Sequence, residues 1–462
     1  MDKDLEEEIK YDLVILNGQV IDVVNEIVEE FNIGISNGKI KIITRIKIFG
    51  KVTIDAKGKF VSPGFIDFHS HVDGNEFSAK CLVRQGGTTT LGGERNLNGR
   101  TIRKIAEDGF VVNQGFFISH SFTLRAAAGA LNPRVSATKK EINTMVDLAE
   151  SFMDHGAYGI CFGLEFVPGT SFREIIELSK LAKRYNRPVT IQLRKDGKDA
   201  IQYFDEVIQA AEFTGASIHL LELVYMVGIG GTMGKALEII EAGRVEGLDI
   251  TADSGVYDAY SVGIGTSIFD PGWEKAYGKF SAKDLLITSG IYMGTYCDED
   301  LFEYLRREFP GTLVTAFVCD ETAISMALKK PYIFVSTSAA EGPHYPGMGS
   351  PEVSGTFPRL IGRYVRDKKE INLMEAIRKI TILPAERFGL TGKGRISENM
   401  DADIVIFDYN NIIDCAEYIG KGQPDAPPRG ISHVIINGQM VVNQGKFTDN
   451  LHAGKLLKNN NQ

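Results

Sequence analysis

The chain is 462 residues long, with 43% hydrophobic and 24% charged residues and a formal net charge of −9 at pH 7. This is a globular composition with enough apolar residues for two domains, and the acidic balance argues against a nucleic-acid partner or an anionic membrane surface. No segment approaches the 18 consecutive apolar residues of a membrane helix, and the acidic start MDKDLEEEIKYDL is not expected to be a secretory signal. The five cysteines are scattered without CxxC spacing, which predicts reduced thiols in the cytoplasm.

The two ends of the chain carry similar strand patterns. VILNGQVID (14–22) and VIINGQMVV (434–442) each place Asn-Gly between two apolar runs. Asn-Gly between strands is a strong hairpin signal, because both turn residues adopt positive φ. We therefore predict a composite β-sandwich domain built from residues 1–62 and 396–449. Residues 450–462 form a tail, of which KLLKNNNQ (455–462) is predicted to be frayed.

The middle of the chain, residues 63–395, alternates short apolar runs with helical patterns. Eight runs are rich in β-branched residues: GFIDFH (64–69), TTTLGG (88–93), VVNQGFFIS (111–119), AYGICFG (157–163), RPVTIQL (187–193), ASIHLLEL (216–223), LDITAD (248–253) and PYIFVST (331–337). Eight strand–helix units favour an α/β fold of the (β/α)8 TIM-barrel type, and an open doubly wound sheet is the alternative.

His69 and His71 end the first predicted barrel strand. Barrel enzymes carry their chemistry at the C-terminal ends of the strands, and residues i and i+2 of a strand share a face. The two imidazoles are thus predicted to form half of a site for a divalent metal, most simply zinc; the alternative is that they are capping or packing residues. Glu222, at the end of the sixth strand, is the third candidate ligand. Glu222, Glu94 and Asp73 are candidate acid/base groups.

Weaker candidates for substrate contacts also lie at the C-terminal ends of strands or in the loops that follow them. They are Gln192, Arg194, Tyr257, Thr337 and His344. His344 belongs to a loop rich in Gly and Pro after the eighth strand, which is predicted to be a lid. His219 also lies on the sixth strand, but alternation along the strand predicts that it packs on the opposite face from Glu222.

Several segments resemble the N-acyl-D-amino-acid deacylase (D-aminoacylase) branch of the amidohydrolase superfamily. They include SPGFIDFHSHVD, QGGTTTLGGE, SHSFTLRAAA, GAYGICFGLEFVPG and KITILPAERFGLTGKGRISENMDADIVIFD. The resemblance runs in the same order from about residue 10 to 449. It implies a (β/α)8 barrel with a composite β-sandwich, and a metal-dependent hydrolase in which His69 and His71 bind the metal.

The resemblance also implies that this chain replaces several functional residues of the family. Arg95 stands in the position of a ligand cysteine, and Gln192 and Glu222 stand in the positions of ligand histidines. Val224 replaces a lysine, Thr337 replaces the catalytic aspartate, and Glu352 replaces the arginine that helps hold a substrate carboxylate. Of these replacements, Glu222 is itself a metal-ligand type. The lost lysine and arginine remove charges that would recognise a carboxylate.

Three functions follow from these residues. The first is a metal-dependent hydrolase of a non-peptide amide C–N bond, in an N-acyl-amino-acid-like or cyclic amide, with metal-bound water as the nucleophile. The second is an isomerase or lyase in the same barrel that uses carboxylates as acid/base groups. The third is a catalytically inactive relative that serves binding or assembly. The expected partner is a small-molecule substrate, and a homo-oligomer is left open.

Overall fold

The computed structural model describes six segments of the chain: residues 10–72, 75–93, 109–278, 280–337, 345–448 and 451–459. The strands in these segments are β1 (Tyr11–Asp22), β2 (Ile27–Ser36), β3 (Lys39–Thr44), β4 (Gly50–Asp55), β5 (Phe60–Pro63), β6 (Phe65–Asp67), β7 (Gly87–Gly92), β8 (Asn113–Phe116), β9 (Ile118–Ser119), β10 (Ile160–Gly163), β11 (Val189–Gln192), β12 (Ile218–Leu220), β13 (Ile250–Ser254), β14 (Tyr260–Gly263), β15 (Leu285–Ile287), β16 (Leu313–Ala316), β17 (Ile333–Val335), β18 (Ile404–Phe407), β19 (Ile431–Ile436), β20 (Gln439–Asn443) and β21 (Lys446–Phe447).

Helices alternate with the strands in the middle of the chain. The α-helices of the described segments are α1 (Glu76–Arg84), α2 (Arg125–Ala128), α3 (Lys139–Asp154), α4 (Phe172–Arg184), α5 (Phe204–Thr214), α6 (Leu223–Val227), α7 (Met233–Val245), α8 (Trp273–Ala276), α9 (Glu299–Glu308), α10 (Glu321–Leu328), α11 (Glu352–Arg359), α12 (Leu373–Lys379) and α13 (Ile382–Phe388). Ser or Thr side chains cap two of the long ones: Thr138 begins α3 and Ser171 begins α4, each in a capping box. Among these described helices, none is both long and apolar enough to cross a bilayer.

Both ends of the chain contribute strands to one sheet. Within the described residues it has nine strands, in the order β21–β20–β19–β18–β5–β1–β2–β3, with β4 paired in parallel to β1. The two ends meet in the antiparallel pair β5–β18, where Val61 lies opposite Ile406. Buried branched side chains, among them Ile15 and Ile435, form a core of their own beneath this sheet. The chain ends therefore make one β-rich unit with a core of its own, and other side chains of the same sheet, such as Val405 and Ile436, join the barrel core.

The segment VILNGQVID is one continuous strand, so the hairpin predicted there is wrong. Asn17 has φ 58°, and the pairing of β1 with β2 shifts register between Ile15 and Gly18, which is a β-bulge. The backbone N–H of Asn17 donates to Asn32 Oδ1 at 2.9 Å, and its side-chain amide donates to Asp55 at 2.9 Å. These bonds tie Asn17 to both flanking strands. The residue with positive φ therefore lies in a β-bulge within the strand and not in a hairpin turn. The second Asn-Gly turn, at Asn437, does join two antiparallel strands, β19 and β20.

The middle of the chain folds into a (β/α)8 barrel, and each of the eight predicted barrel strands is present in the described residues. β6, β7 and β8 pair in parallel, and β9, β10, β11, β12, β13 and β17 form a second parallel run. β8 and β9 are one barrel strand interrupted at Phe117, whose N–H donates to the carbonyl of Gly92 at 2.7 Å. Apolar residues from the strands and the surrounding helices form the largest buried core.

The barrel closes between β17 and β6 through a side chain. The backbone N–H and the hydroxyl of Thr337 donate to the two carboxylate oxygens of Asp67, at 3.0 and 2.8 Å. Burial raises the pKa of Asp67 to about 6, against these hydrogen bonds, which lower it. Thr337 was expected to contact substrate, but its side chain is committed to this closure and does not line the cavity described below.

An insertion between β13 and β17 covers one side of the barrel mouth. Its strands β14, β15 and β16 form a small antiparallel sheet in the described residues, with β16 in the centre. The hydroxyl of Ser267, in this insertion, donates to the backbone carbonyl of Glu165 in the loop after β10. Sequence reasoning did not predict this sheet, although it supplies a wall of the functional cavity.

The C-terminal segment 451–459 packs against the barrel, so the predicted fraying is wrong for residues 455–459. Gly454 bridges Phe110 at 2.8 Å, and Leu457 N–H donates to the Gln114 carbonyl at 2.8 Å. The guanidinium of Arg187 donates to the carbonyl of Asn459 at 2.7 Å. The segment is polar in sequence, but its hydrogen bonds are made by backbone groups that composition does not reveal.

Candidate active site

His69 and His71 follow β6 and project together into the mouth of the barrel. Their ring centroids are 5.5 Å apart, and His69 is only 2% exposed. Glu222, which follows β12, joins them: one ligand atom from each of the three side chains lies within 4.8 Å of the others. His69 Nε2 is 3.8 Å from Glu222 Oε1. The structure thus brings together the three side chains that were predicted to share an ion.

Asp253, at the end of β13, orients His69. Its Oδ2 is 3.0 Å from His69 Nδ1 and accepts a hydrogen bond from Ser336 Oγ at 2.6 Å. Burial opposes ionisation of Asp253, but His69 and the Ser336 hydrogen bond bring its pKa below the ordinary aspartate value. The ionised Asp253 holds the proton of His69 on Nδ1, which leaves the Nε2 lone pair facing Glu222.

The backbone at Glu222 is left-handed, with φ 56° and ψ 36°. This conformation is unfavourable for a residue with a Cβ, by about 1 kcal/mol or more. The N–H of Glu222 donates to Asp253 Oδ1, so the same carboxylate that orients His69 also stabilises this turn. The turn starts α6 and directs the Glu222 side chain toward the histidines.

Gln192, the last residue of β11, holds Glu222 from the other side. Its amide nitrogen donates to Glu222 Oε2 and to Glu165 Oε1, both at 2.8 Å. Both amide hydrogens of Gln192 are therefore donated to carboxylates, one to each. Gln192 was predicted to contact substrate; it lines the cavity, and its hydrogen bonds give it the additional role of aligning two acidic side chains.

A cavity is centred on these residues. It is lined by both histidines, by the polar side chains just described and by apolar ones from the barrel and the insertion, including Phe122, Phe166, Met226 and Val262. Two acidic residues on its wall, Glu165 and Asp196, were not among the predicted site residues. They lie in loops beyond β10 and β11, where strand periodicity gives no signal for which side chains turn inward.

Two other predicted substrate contacts lie outside this cavity. The guanidinium of Arg194 donates to both oxygens of Glu206 at 2.7 Å and also to two backbone carbonyls. The hydroxyl of Tyr257 donates to Asp414 at 3.1 Å, and its ring packs under Arg359. Both side chains are engaged in structural hydrogen bonds, so the expectation that they hold substrate is not supported.

The remaining predicted residues lie in segments that the structure does not describe. These are Asp73, Glu94 and His344. His219, by contrast, is described: it is fully buried, its Nδ1 is 2.7 Å from Thr251 Oγ1, and its ring packs on Phe334 and Phe388. Burial lowers its pKa to about 3, which fits a neutral packing residue on the face opposite Glu222.

The chemistry of the described donors fits a divalent cation. Two imidazoles and one carboxylate match the nitrogen and oxygen ligands that zinc and related ions prefer. Asp253 on His69 and Gln192 on Glu222 are the outer hydrogen bonds that usually orient such ligands.

Known proteins share this sequence pattern and architecture. Residues 347–442 match the model of the amidohydrolase family. D-aminoacylase of Alcaligenes xylosoxydans xylosoxydans is 26% identical over 492 residues, covering 97% of each chain. The crystal structure of a D-aminoacylase superposes with a TM-score of 0.86 and 25% identity, over 97% of this chain and 100% of the other. The chain is D-aminoacylase-like over nearly its whole length.

A second solved structure has the same fold. N-acyl-D-glutamate deacylase from Bordetella bronchiseptica, in complex with zinc and a phosphonate mimic of the tetrahedral intermediate, superposes with a TM-score of 0.85 at 23% identity, over 97% of this chain and 100% of that one. The fold predicted from the sequence resemblance is thus confirmed. Gln192 and Glu222, which by the sequence resemblance stand in place of ligand histidines, are joined to each other by a hydrogen bond in this chain.

Proposed function

We propose that this D-aminoacylase-like protein is a metal-dependent hydrolase of non-peptide amide C–N bonds, of the N-acyl-amino-acid or cyclic amide class. The observation that carries the proposal is the convergence of His69, His71 and Glu222 donor atoms within 4.8 Å at the barrel mouth. The likeness to D-aminoacylase and N-acyl-D-glutamate deacylase over nearly the whole chain supports the reaction class.

His69, His71 and Glu222 would hold one divalent ion, for which zinc is the best match. When bound, such an ion lowers the pKa of water and polarises an amide carbonyl. The chain's own residues prepare the site for this chemistry. Asp253 keeps the His69 tautomer that exposes Nε2, and Gln192 restrains the Glu222 carboxylate.

Apolar side chains exclude water from the reacting bond. Phe122, Phe166, Met226 and Val262 line the cavity beside the histidines and Glu222. Where a bound substrate and these side chains exclude water, interactions between charges are stronger than in bulk water, so the carboxylates would act on the substrate with less screening.

The described cavity wall contains no lysine or arginine. Val224, in place of the family's lysine, is fully buried. Glu352, in place of the arginine, accepts a hydrogen bond from Tyr418 at 3.0 Å, and burial raises its pKa to about 8, so it is neutral near pH 7. We propose that the scissile amide and its neutral substituents, more than an α-carboxylate, determine which substrates bind.

The test combines metal analysis with a substrate panel. Protein purified without chelators is expected to contain about one divalent ion per chain, and His69→Ala to lose it. His155→Ala is the matched control, because His155 is exposed and, among the described residues, its imidazole bonds to the backbone carbonyl of Ser151. The panel pairs N-acetyl-D-amino acids with their carboxamides and adds hydantoin. A folded wild-type protein that binds no zinc, manganese or iron and hydrolyses no member of the panel would contradict the proposal.

We place this reaction in the cytoplasm. All five cysteines are free thiols, four of them buried. Reduced cysteines in this number are usual for intracellular proteins. Fractionation of cells that express the natural protein would test the location.

A further inference from the structure

The cavity at the barrel mouth adjoins a second one. The second cavity has a volume of about 220 Å³ and is lined by Lys195, Trp273 and Tyr277. Glu165 and Asp196 line both cavities, so they form part of the wall between them. The two carboxyl groups are 3% and 7% exposed.

The loop that carries Asp196 is pressed against the insertion. Gly197 has φ 63°, and a Cβ there would lie 2.4 Å from the carbonyl oxygen of Ala276. Only glycine fits this approach, which places Asp196 beside Tyr277. The hydroxyl of Tyr277 donates to Asp196 Oδ2 and is itself 2.6 Å from the hydroxyl of Tyr260, which lines the first cavity.

Asp196 and Glu165 are two buried carboxyl groups on the same cavity wall. Asp196 Oδ1 is buried and receives no hydrogen bond from any N–H or O–H of the described chain. Two negative charges on one buried wall are unfavourable, so we expect the pair to carry one proton. Burial raises the pKa of Asp196, whereas Tyr277 and Lys195 oppose the shift.

A single side chain, that of Gln192, links Glu165 to the proposed metal ligand Glu222. The Gln192 amide nitrogen is 2.8 Å from a carboxylate oxygen of Glu165 and 2.8 Å from one of Glu222. Glu165 and Asp196 therefore line the cavity in which a substrate amide bound at Glu222 would sit. Thr337 occupies the position of the family's catalytic aspartate and is used for barrel closure, so the described cavity needs another proton carrier.

We propose that Glu165 and Asp196 form the acid/base pair of this hydrolase, with Asp196 delivering the shared proton and Glu165 receiving one. This inference rests on the proposed amide hydrolysis. The C–N bond breaks as a water oxygen bonds to the acyl carbon; one water proton passes to Glu165, and the proton of Asp196 passes to the leaving nitrogen. The products are a carboxylic acid and an amine, and the pair holds one proton before and after the reaction.

The pair predicts a particular pH profile. The shared proton is lost as the pH rises, so kcat is expected to fall with a midpoint above the ordinary aspartate value of about 3.9. Asp196→Asn is expected to lower kcat about a hundredfold and to remove this fall in kcat at high pH, the high-pH limb of the profile.

Tyr277→Phe removes a hydrogen bond that lowers the pKa of Asp196, so the high-pH limb is expected to move to higher pH. Asp199→Asn, an exposed position in the same segment, is the control and is expected to leave kcat and the profile unchanged.

Carbon-13 carboxyl titration of the labelled metal-loaded protein provides a second readout that needs no turnover. The raised pKa values of Asp67 and Glu352 are expected in both proteins, and one further carboxyl group with a raised pKa is expected in the wild type and is expected to be absent in Asp196→Asn. The melting temperature and metal content of both proteins are measured alongside. A wild type that hydrolyses no amide would overturn the proposed function and the pair together. A working hydrolase in which Asp196→Asn keeps its kcat and its high-pH limb would overturn the pair alone.

Discussion

At the scale of single residues, Asp253 connects the two halves of the proposed metal site. One oxygen of its carboxylate faces His69 and the other accepts the backbone N–H of Glu222. It therefore sets both the tautomer of an imidazole and the strained turn that carries a carboxylate. Neither role is visible in the sequence, because the two partners are 184 and 31 residues away from Asp253.

Asp253→Asn tests this arrangement. An asparagine presents one acceptor and one donor where the wild type has two acceptors, so either His69 or the Glu222 N–H faces a donor. We expect the affinity for zinc to fall by about tenfold to a hundredfold while the fold is retained. Competition with a fluorescent chelator measures the affinity, and circular dichroism monitors the fold. Asp249→Asn, just before the same strand and paired with Arg387, should bind zinc like the wild type.

At the scale of elements, the β-bulge in β1 shows how tertiary contacts decide the shape of an Asn-Gly pair. Gly18 leaves no room for a side chain, since a Cβ would lie 2.4 Å from a methyl group of Val61 on β5. The close approach of β1 and β5 at this point helps to place β5, which leads directly into β6 and His69.

We expect Gly18→Ala to lower the free energy of unfolding by about 1–3 kcal/mol, because the added methyl overpacks the contact with Val61. Urea unfolding followed by fluorescence measures the change. Gly311→Ala is a suitable comparison, as its Cβ would meet no atom within 4 Å. Equal stability of the two variants would show that β1 and β5 can separate without cost.

At the scale of the whole molecule, the C-terminal segment links the barrel to the sheet. Asn437, in the β19–β20 turn, donates to the carbonyl of Ala453, and Gly454 and Leu457 bond to the strand β8 region. The segment therefore crosses from the composite sheet to the N-terminal ends of the barrel strands, which is the stability face of such a barrel.

Ending the chain at Thr448 removes several of these backbone hydrogen bonds. At about 0.5–1.5 kcal/mol each, their loss is expected to reduce the free energy of unfolding by roughly 3 kcal/mol or more, while zinc binding at the opposite end of the barrel is retained. Calorimetry and metal analysis measure the two effects. The exposed side chain in Lys455→Ala provides a control that keeps the backbone contacts; a truncated chain as stable as this control would contradict the expectation.

The sequence by itself determined the strands, the barrel and the histidine pair, because these depend on local periodicity and on residues two apart. Eight apolar runs predicted eight barrel strands, and alternation correctly separated Glu222 from His219. Only the tertiary structure decided that Gln192 lies between Glu222 and Glu165, that Asp196 and Glu165 line one cavity, and that Arg194 and Thr337 are used elsewhere. These contacts are made across neighbouring strands and loops, where the register of the barrel and the close packing of an unpredicted insertion set the distances. Local pattern specifies which face a side chain takes, whereas its partner on that face depends on how distant segments pack.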